Sequence, residues 1–255
     1  MRMLDYSIWS GSIALEILLL YRSFRTRLRS YYPVFFIYIF FVLTQSLLRL
    51  IVYHYQSRLY TYTYWLTEFL GVAIGCAVVF EIYRVALASY PGTARMARRL
   101  LALVFVGALA KAIADATNDP RWWAEATTID IERAMRTVQA LAIAALVALF
   151  LVYSIPFGRN LKGILLGYGL FIGASVMWFA FAQSGGDRFR YFWSYLNPAS
   201  YDLALCLWVV YLWSPQQQPE ALATVRIEEQ YQQIATRTRR RLADARGYLG
   251  KVMDR

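Results

Sequence analysis

The sequence predicts an all-α membrane protein, a polytopic bundle of seven transmembrane helices with its N-terminus outside and its C-terminus in the cytoplasm. Three observations lead there. The 255 residues are 59% hydrophobic and 17% aromatic, with a mean hydropathy of +0.38. The apolar residues come in long blocks that are apolar around the whole helical circumference, whereas a soluble domain of this size buries one stripe per helix. Most of the 27 lysines and arginines fall after the first, third and fifth blocks and in the tail, the bias that marks cytoplasmic segments. The formal charge of +11 has its explanation in that bias, so no nucleic-acid partner is expected.

The first span covers about 4–21 and contains Glu16; Arg22, Arg25, Arg27 and Arg29 follow it as a cytoplasmic loop. No small-residue cleavage site follows the apolar run, so it reads as a retained span. The second, about 33–53, opens on Pro33, which suits a first helical turn, and holds Arg49 near its far end. A tyrosine-rich loop, 53–64, leads to the third span, about 62–83, with Glu68 early, Glu81 late and Gly71 and Gly75 at GxxxG spacing. Arg84, Arg95, Arg98 and Arg99 mark the next cytoplasmic loop, and Pro91-Gly92 reads as a turn in its middle.

The fourth span, about 98–117, loses its clean apolar run at Ala110, so Lys111 and Asp115 must complete the crossing. Trp122 and Trp123 follow as part of an interfacial belt. The fifth span, about 132–153, is strongly apolar only from Val138 to Tyr153. A bilayer core needs about 20 helical residues, so Arg136, Arg133 and Glu132 are drawn into the outer part of the membrane. The sixth, about 163–182, carries Gly163/Gly167 and Gly169/Gly173, small-residue pairs that permit close backbone approach. The seventh, about 198–213, starts with Asn197 as cap and Pro198 at the first helical position, and holds Asp202 in its second turn. Residues 1–214 thus form the membrane domain, and 215–255 a basic tail with Ile227, Tyr231, Ile234, Leu242 and Leu249 on one helical stripe.

Eight charges sit in the outer third on this layout: Arg49, Lys111, Arg133 and Arg136 against Glu68, Asp115, Glu132 and Asp202. Glu132, Arg136 and Gln139 recur at spacings of three and four, so they share a stripe that faces a bundle interior. An isolated charge at the membrane centre costs at least ~2.5 kcal/mol, and an opposite partner relieves much of it. Two readings follow, a structural ion-pair network and an outward-opening polar cavity that binds a small ligand. Glu16 stands apart in the inner half, either as a proton-coupling site or as a protonated acid bonded to a neighbouring helix. Glu81 reads as a surface ion pair with Arg84. The glycine-containing loop 184–197 is a candidate lid, and Arg237, Arg239, Arg240 and Arg241 are candidates for contact with anionic lipid headgroups or a partner helix.

Composition excludes several chemistries. The span 198–213 has no lysine for a retinal Schiff base, and the lone His54 supplies neither a zinc cluster nor the base of a serine protease. Pro215-Gln216 occurs once, so the paired motif of small seven-span sugar carriers is missing. Cys76 and Cys206 both fall in spans as small core residues. No cofactor, metal or catalytic centre is expected.

Tyr32-Pro33-Val34-Phe35-Phe36 opening the second span, Tyr64-Trp65 with Glu68 in the third, Glu132-Arg133 in the fifth and Gly167-Tyr168-Gly169 in the sixth resemble a group of small bacterial seven-helix membrane proteins with no assigned activity. The resemblance implies a bacterial cytoplasmic membrane and imports no mechanism. The expected function is a non-enzymatic receptor-like or accessory membrane protein with an outward polar cavity for a small ligand or membrane partner. The alternatives are a small-solute transporter, with Glu16 as its proton site, and a structural subunit of a membrane complex.

Overall fold

A computed structural model of the chain describes residues 3–26, 28–88, 91–118, 124–152, 158–181, 186–214 and 236. All regular structure among them is helical. Seven long helices and one short one follow in order: α1 Met3–Arg25, α2 Leu28–Tyr31, α3 Pro33–Tyr55, α4 Tyr60–Ala86, α5 Pro91–Asn118, α6 Ala124–Val152, α7 Arg159–Phe181 and α8 Asp187–Leu212. Four of them are long and apolar enough to cross a membrane: α3, α4, α7 and, within α6, the stretch Asp130–Leu151.

Six of the long helices close a ring, in the order α1, α3, α4, α6, α7, α8 and back to α1, while α5 packs outside it on α4 and α6. The ring encloses the core. At the end that carries Pro33 and Leu212 the core is mostly apolar, with Phe35, Ile39, Leu161, Ile164, Leu205 and Trp208 almost wholly buried and Glu81 and Asn160 as its buried polar members. Phe35 and Trp208 meet edge to face at 5.0 Å between ring centres, and Trp208 donates its indole N–H to Ile164 O at 3.3 Å.

Small residues let the helices meet. A side chain at Gly167 or Gly163 would run into Trp208 or Tyr211, so α7 and α8 approach at the backbone of α7. That agrees with the packing role expected of the Gly163/Gly167 pair. The second pair behaves differently: Gly169 meets only Ile143, and Gly173 faces open space.

Several element boundaries differ from the sequence reading. The seventh long helix starts at Asp187, capped by Gly186, so Pro198 lies inside it and Asn197 is not a cap. Pro198 costs the helix one bond, the N–H that would reach Ser194 O four residues back, and the helix runs on through it; Ser200 Oγ donates to Asn197 O at 2.6 Å on the next turn. The stretch 187–197 is therefore helix, not a glycine-hinged lid. Pro91 opens α5 where a mid-loop turn was expected; proline suits a first helical turn as well as a turn. The tyrosine-rich loop shrinks to 56–59, with a 3₁₀ turn at Ser57–Leu59, because α3 and α4 both extend into it. The helix α2 was not foreseen.

Glu81 is the other correction. It is 3% exposed and accepts the backbone N–H groups of Val34 at 2.9 Å and Phe35 at 2.7 Å. These are the first donors of α3, orphaned because a helix start has no intrahelical acceptors, so Glu81 caps α3 from a neighbouring helix. Its pair with Arg84, at 3.5 Å, is secondary.

Candidate functional site

Arg136 sits at the centre of the ring, on the second turn past Asp130 on α6, and is 4% exposed. Its Nε lies 3.5 Å from Glu132, one turn back on the same helix, and its Nη2 lies 3.9 Å from Glu68 of α4. Glu68 also binds Arg49 of α3 at 3.0 Å. Two arginines and two glutamates from three helices thus form one alternating cluster without net charge. The face of Phe171 covers the Arg136 guanidinium at 4.9 Å, and the ring of Tyr64 covers that of Arg49 at 4.3 Å. Arg49 is further fixed by Thr67 Oγ1, at 2.9 Å, and Tyr64 O, at 3.1 Å.

Burial is graded along the cluster. The side chains of Arg49 and Glu68 are each 18% exposed and that of Glu132 is 15% exposed, against 5% for Arg136. Beyond Arg136 the polar groups are sealed: Gln139 and Tyr168 are fully buried. Gln139 donates to Cys76 Sγ at 3.2 Å and to Val72 O at 3.4 Å. Tyr168 is admitted by Gly75, where a Cβ would stand 2.6 Å from its hydroxyl. Gly75 is therefore the one member of the α4 glycine pair that makes room for polar groups.

The polar line continues past the centre. Tyr38 of α3 lies within electrostatic reach of both Arg136 and Glu16 and packs on Tyr168 at 5.8 Å. Phe171 contacts Tyr201 at 5.3 Å, and the Tyr201 hydroxyl donates to Glu16 Oε1 at 2.8 Å. Asp202, next to Tyr201, accepts from Ser12 of α1. Tyr38 and Arg49 are eleven residues apart on α3, about 16 Å along a helix axis. The interior polar column thus has that length.

Several buried polar atoms in this column have no hydrogen-bond partner: Arg136 Nη1, Gln139 Oε1, Tyr168 OH, Gln45 Oε1 and Glu16 Oε2. An unpaired buried donor or acceptor costs about 1–3 kcal/mol. Donors and acceptors left open around one another are what a polar ligand or ordered water satisfies.

Of the eight outer charges predicted to converge, Arg49, Glu68, Glu132 and Arg136 do. Arg133 turns away to Asp130 at 3.7 Å and lies over Phe179. Asp202 joins Glu16 and Ser12 and not the arginines, so Glu16 does not stand apart as expected. The reason is the length of α8: a start at Asp187 places Asp202 in mid-helix, at the level of Glu16. Lys111 is exposed on the outlying α5. The Asp115 side chain and Arg237, Arg239, Arg240 and Arg241 lie outside the described residues, as do Trp122 and Trp123. Tyr38, Tyr168 and Tyr201 escaped the sequence reading because tyrosines crowd the whole chain and most mark an interface. No group of His, Cys, Asp and Glu among the described residues could hold a metal ion. No protein-family model, curated protein or solved structure matches the chain.

Proposed function

We propose that this chain is a non-enzymatic, receptor-like or accessory protein of a bacterial cytoplasmic membrane. In this reading it has seven spans, the N-terminus outside and the tail 215–255 in the cytoplasm. Its outer crevice, entered past Arg49 and Glu68 and ending on Arg136, takes a small polar ligand or a polar side chain of a membrane partner. The observation that carries the reading is the buried Arg136, bracketed by Glu68 and Glu132 yet with Nη1 unpartnered. Because the cluster is already neutral, a ligand of no net charge suits it, one that brings an acceptor to Arg136 Nη1 and a donor to Gln139 Oε1.

The apolar closure by Phe35, Trp208, Leu161 and Ile164 favours a receptor over a transporter, which needs a polar route through both halves. The tail, by its composition, faces a cytoplasmic component or the anionic leaflet.

The test is a thermal-stability screen of the purified protein against neutral and zwitterionic solutes, followed by flux measurements in proteoliposomes. A binding solute at a hundred times its Kd adds about 2.7 kcal/mol of stability. The expected result is stabilisation by one solute class, its loss in Arg136→Gln, and no flux of that solute. Accumulation of the solute inside the vesicles would establish the transporter instead. Stabilisation only by a co-purifying protein would establish the complex subunit.

A further inference from the structure

We infer that the groove between α1 and α3, at the end where α2 lies, is a binding site for one anionic phospholipid. The inference rests on the membrane-spanning reading above but not on the outer crevice. The groove has a volume of about 330 Å³ and is lined by Leu20 and Phe24 of α1 and Phe36, Ile37 and Phe40 of α3, with Arg29 at its mouth. It runs from Pro33 to Phe40 along α3, about 10 Å of helix, which is most of the depth of one leaflet's hydrocarbon. Phe24, Ile37 and Phe40 are all more than half exposed, so the wall that receives an acyl chain is open sideways to lipid.

The charge at the mouth has no carboxylate partner among the described residues. No acidic residue occurs between Glu16 and Glu68, and no ion pair holds Arg25 or Arg29 among the described residues. Each is instead laid over an aromatic ring of α1, Arg25 over Tyr21 and Arg29 over Phe24, both at 5.4 Å. A ring contact of this kind uses the face of a guanidinium and no N–H donor, so the donors are left for a phosphate, which arginine can bind in bidentate fashion. Arg22 is different: it donates to Trp213 O at 3.0 and 2.7 Å and so serves the C-terminus of α8. An apolar channel most of one leaflet deep, with Arg29 among its lining residues, Arg25 at the end of the α1 wall and neither in an ion pair among the described residues, matches the two halves of an anionic phospholipid. A soluble phosphate matches only one.

The test uses the full chain purified in detergent and exchanged into mixed micelles of phosphatidylglycerol and phosphatidylcholine with equal acyl chains. Retained phospholipid per protein is counted by native mass spectrometry. One phosphatidylglycerol retained in preference to phosphatidylcholine is expected. Arg25→Gln/Arg29→Gln should lower its retention on the order of twenty-fold, from about five-fold per arginine near an anionic surface. Ile37→Trp keeps every charge but fills the groove, and should also abolish the preference. Arg99→Gln, which removes an exposed cation elsewhere, should leave it intact. Equal loss in Arg99→Gln, no loss in Ile37→Trp, or displacement by millimolar glycerol phosphate would each overturn the site. The readout does not involve Arg136, so failure here and failure of the outer crevice are distinguishable.

Discussion

Arg136 carries the most consequence of any single side chain. Removing one partner of a buried ion pair leaves the other charge uncompensated and costs about 3–5 kcal/mol, whereas replacing both by apolar groups is often near neutral. Arg136→Met should therefore destabilise the protein by roughly that amount, because Arg136 is the cation paired with Glu132 among the described residues while Glu68 keeps Arg49. Arg136→Met/Glu132→Met should recover most of the loss. Thermal unfolding of the purified variants, arranged as a double-mutant cycle, gives the coupling; additive losses would mean the two groups do not interact. Glu81 supports a second prediction at this scale. It satisfies two backbone donors, so Glu81→Ala should cost about 1–2 kcal/mol. Glu81→Gln should cost less, since its amide oxygen still accepts. A pure surface pair with Arg84 would move stability by under about 1 kcal/mol, and the same unfolding measurement separates the two.

At the scale of elements, the glycine pairs divide by what stands opposite. Gly167 lies against Trp208, which is wholly buried and tied to Ile164 O, so it cannot give way. Gly167→Ala should overpack the α7–α8 contact and cost about 1–3 kcal/mol. Gly173→Ala meets nothing within 4 Å and should be neutral or stabilising by up to about 1 kcal/mol, the helix-propensity difference. Melting temperatures of the two variants decide it; equal destabilisation would contradict the packing described. The sequence alone treats these pairs alike, because GxxxG spacing says that a backbone can be approached and not whether anything approaches it. The same limit explains the misplaced start of α8. Residues 187–198 mix charges, aromatics and Asn-Pro, a composition shared by loops and by polar helix ends. Trp193 is buried within it, and burial of that kind is set by tertiary packing and not by the local pattern.

For the whole molecule, the proposed function requires that access be one-sided. With Cys76 and Cys206 first replaced by alanine, a cysteine at Glu132 should react with a membrane-impermeant thiol reagent added from outside, and one at Leu205 should not. Labelling of Glu132→Cys only from the cytoplasmic side would reverse the proposed orientation, and labelling of both would remove the apolar closure. The convergence of Arg49, Glu68, Glu132 and Arg136 was legible beforehand, since each charge had to leave the lipid and only the interior was open to it. Their separation from Asp202 and Arg133 was not. The sequence shows depth only by where apolar blocks end, and α8 begins at Asp187, well before its apolar block, so Asp202 lies deeper than that block implies.

What the sequence determined by itself was the helical character, the presence of helices long and apolar enough to cross a membrane and the need for charges to pair inside. All three follow from the cost of exposing polar groups to hydrocarbon, which acts on each segment separately. Which charges meet, which glycine admits a tyrosine, and that Glu81 caps a helix 47 positions away were decided only by tertiary structure. These depend on the rotation and offset of one helix against another, and that is set by the fit of the whole ring and by no segment alone.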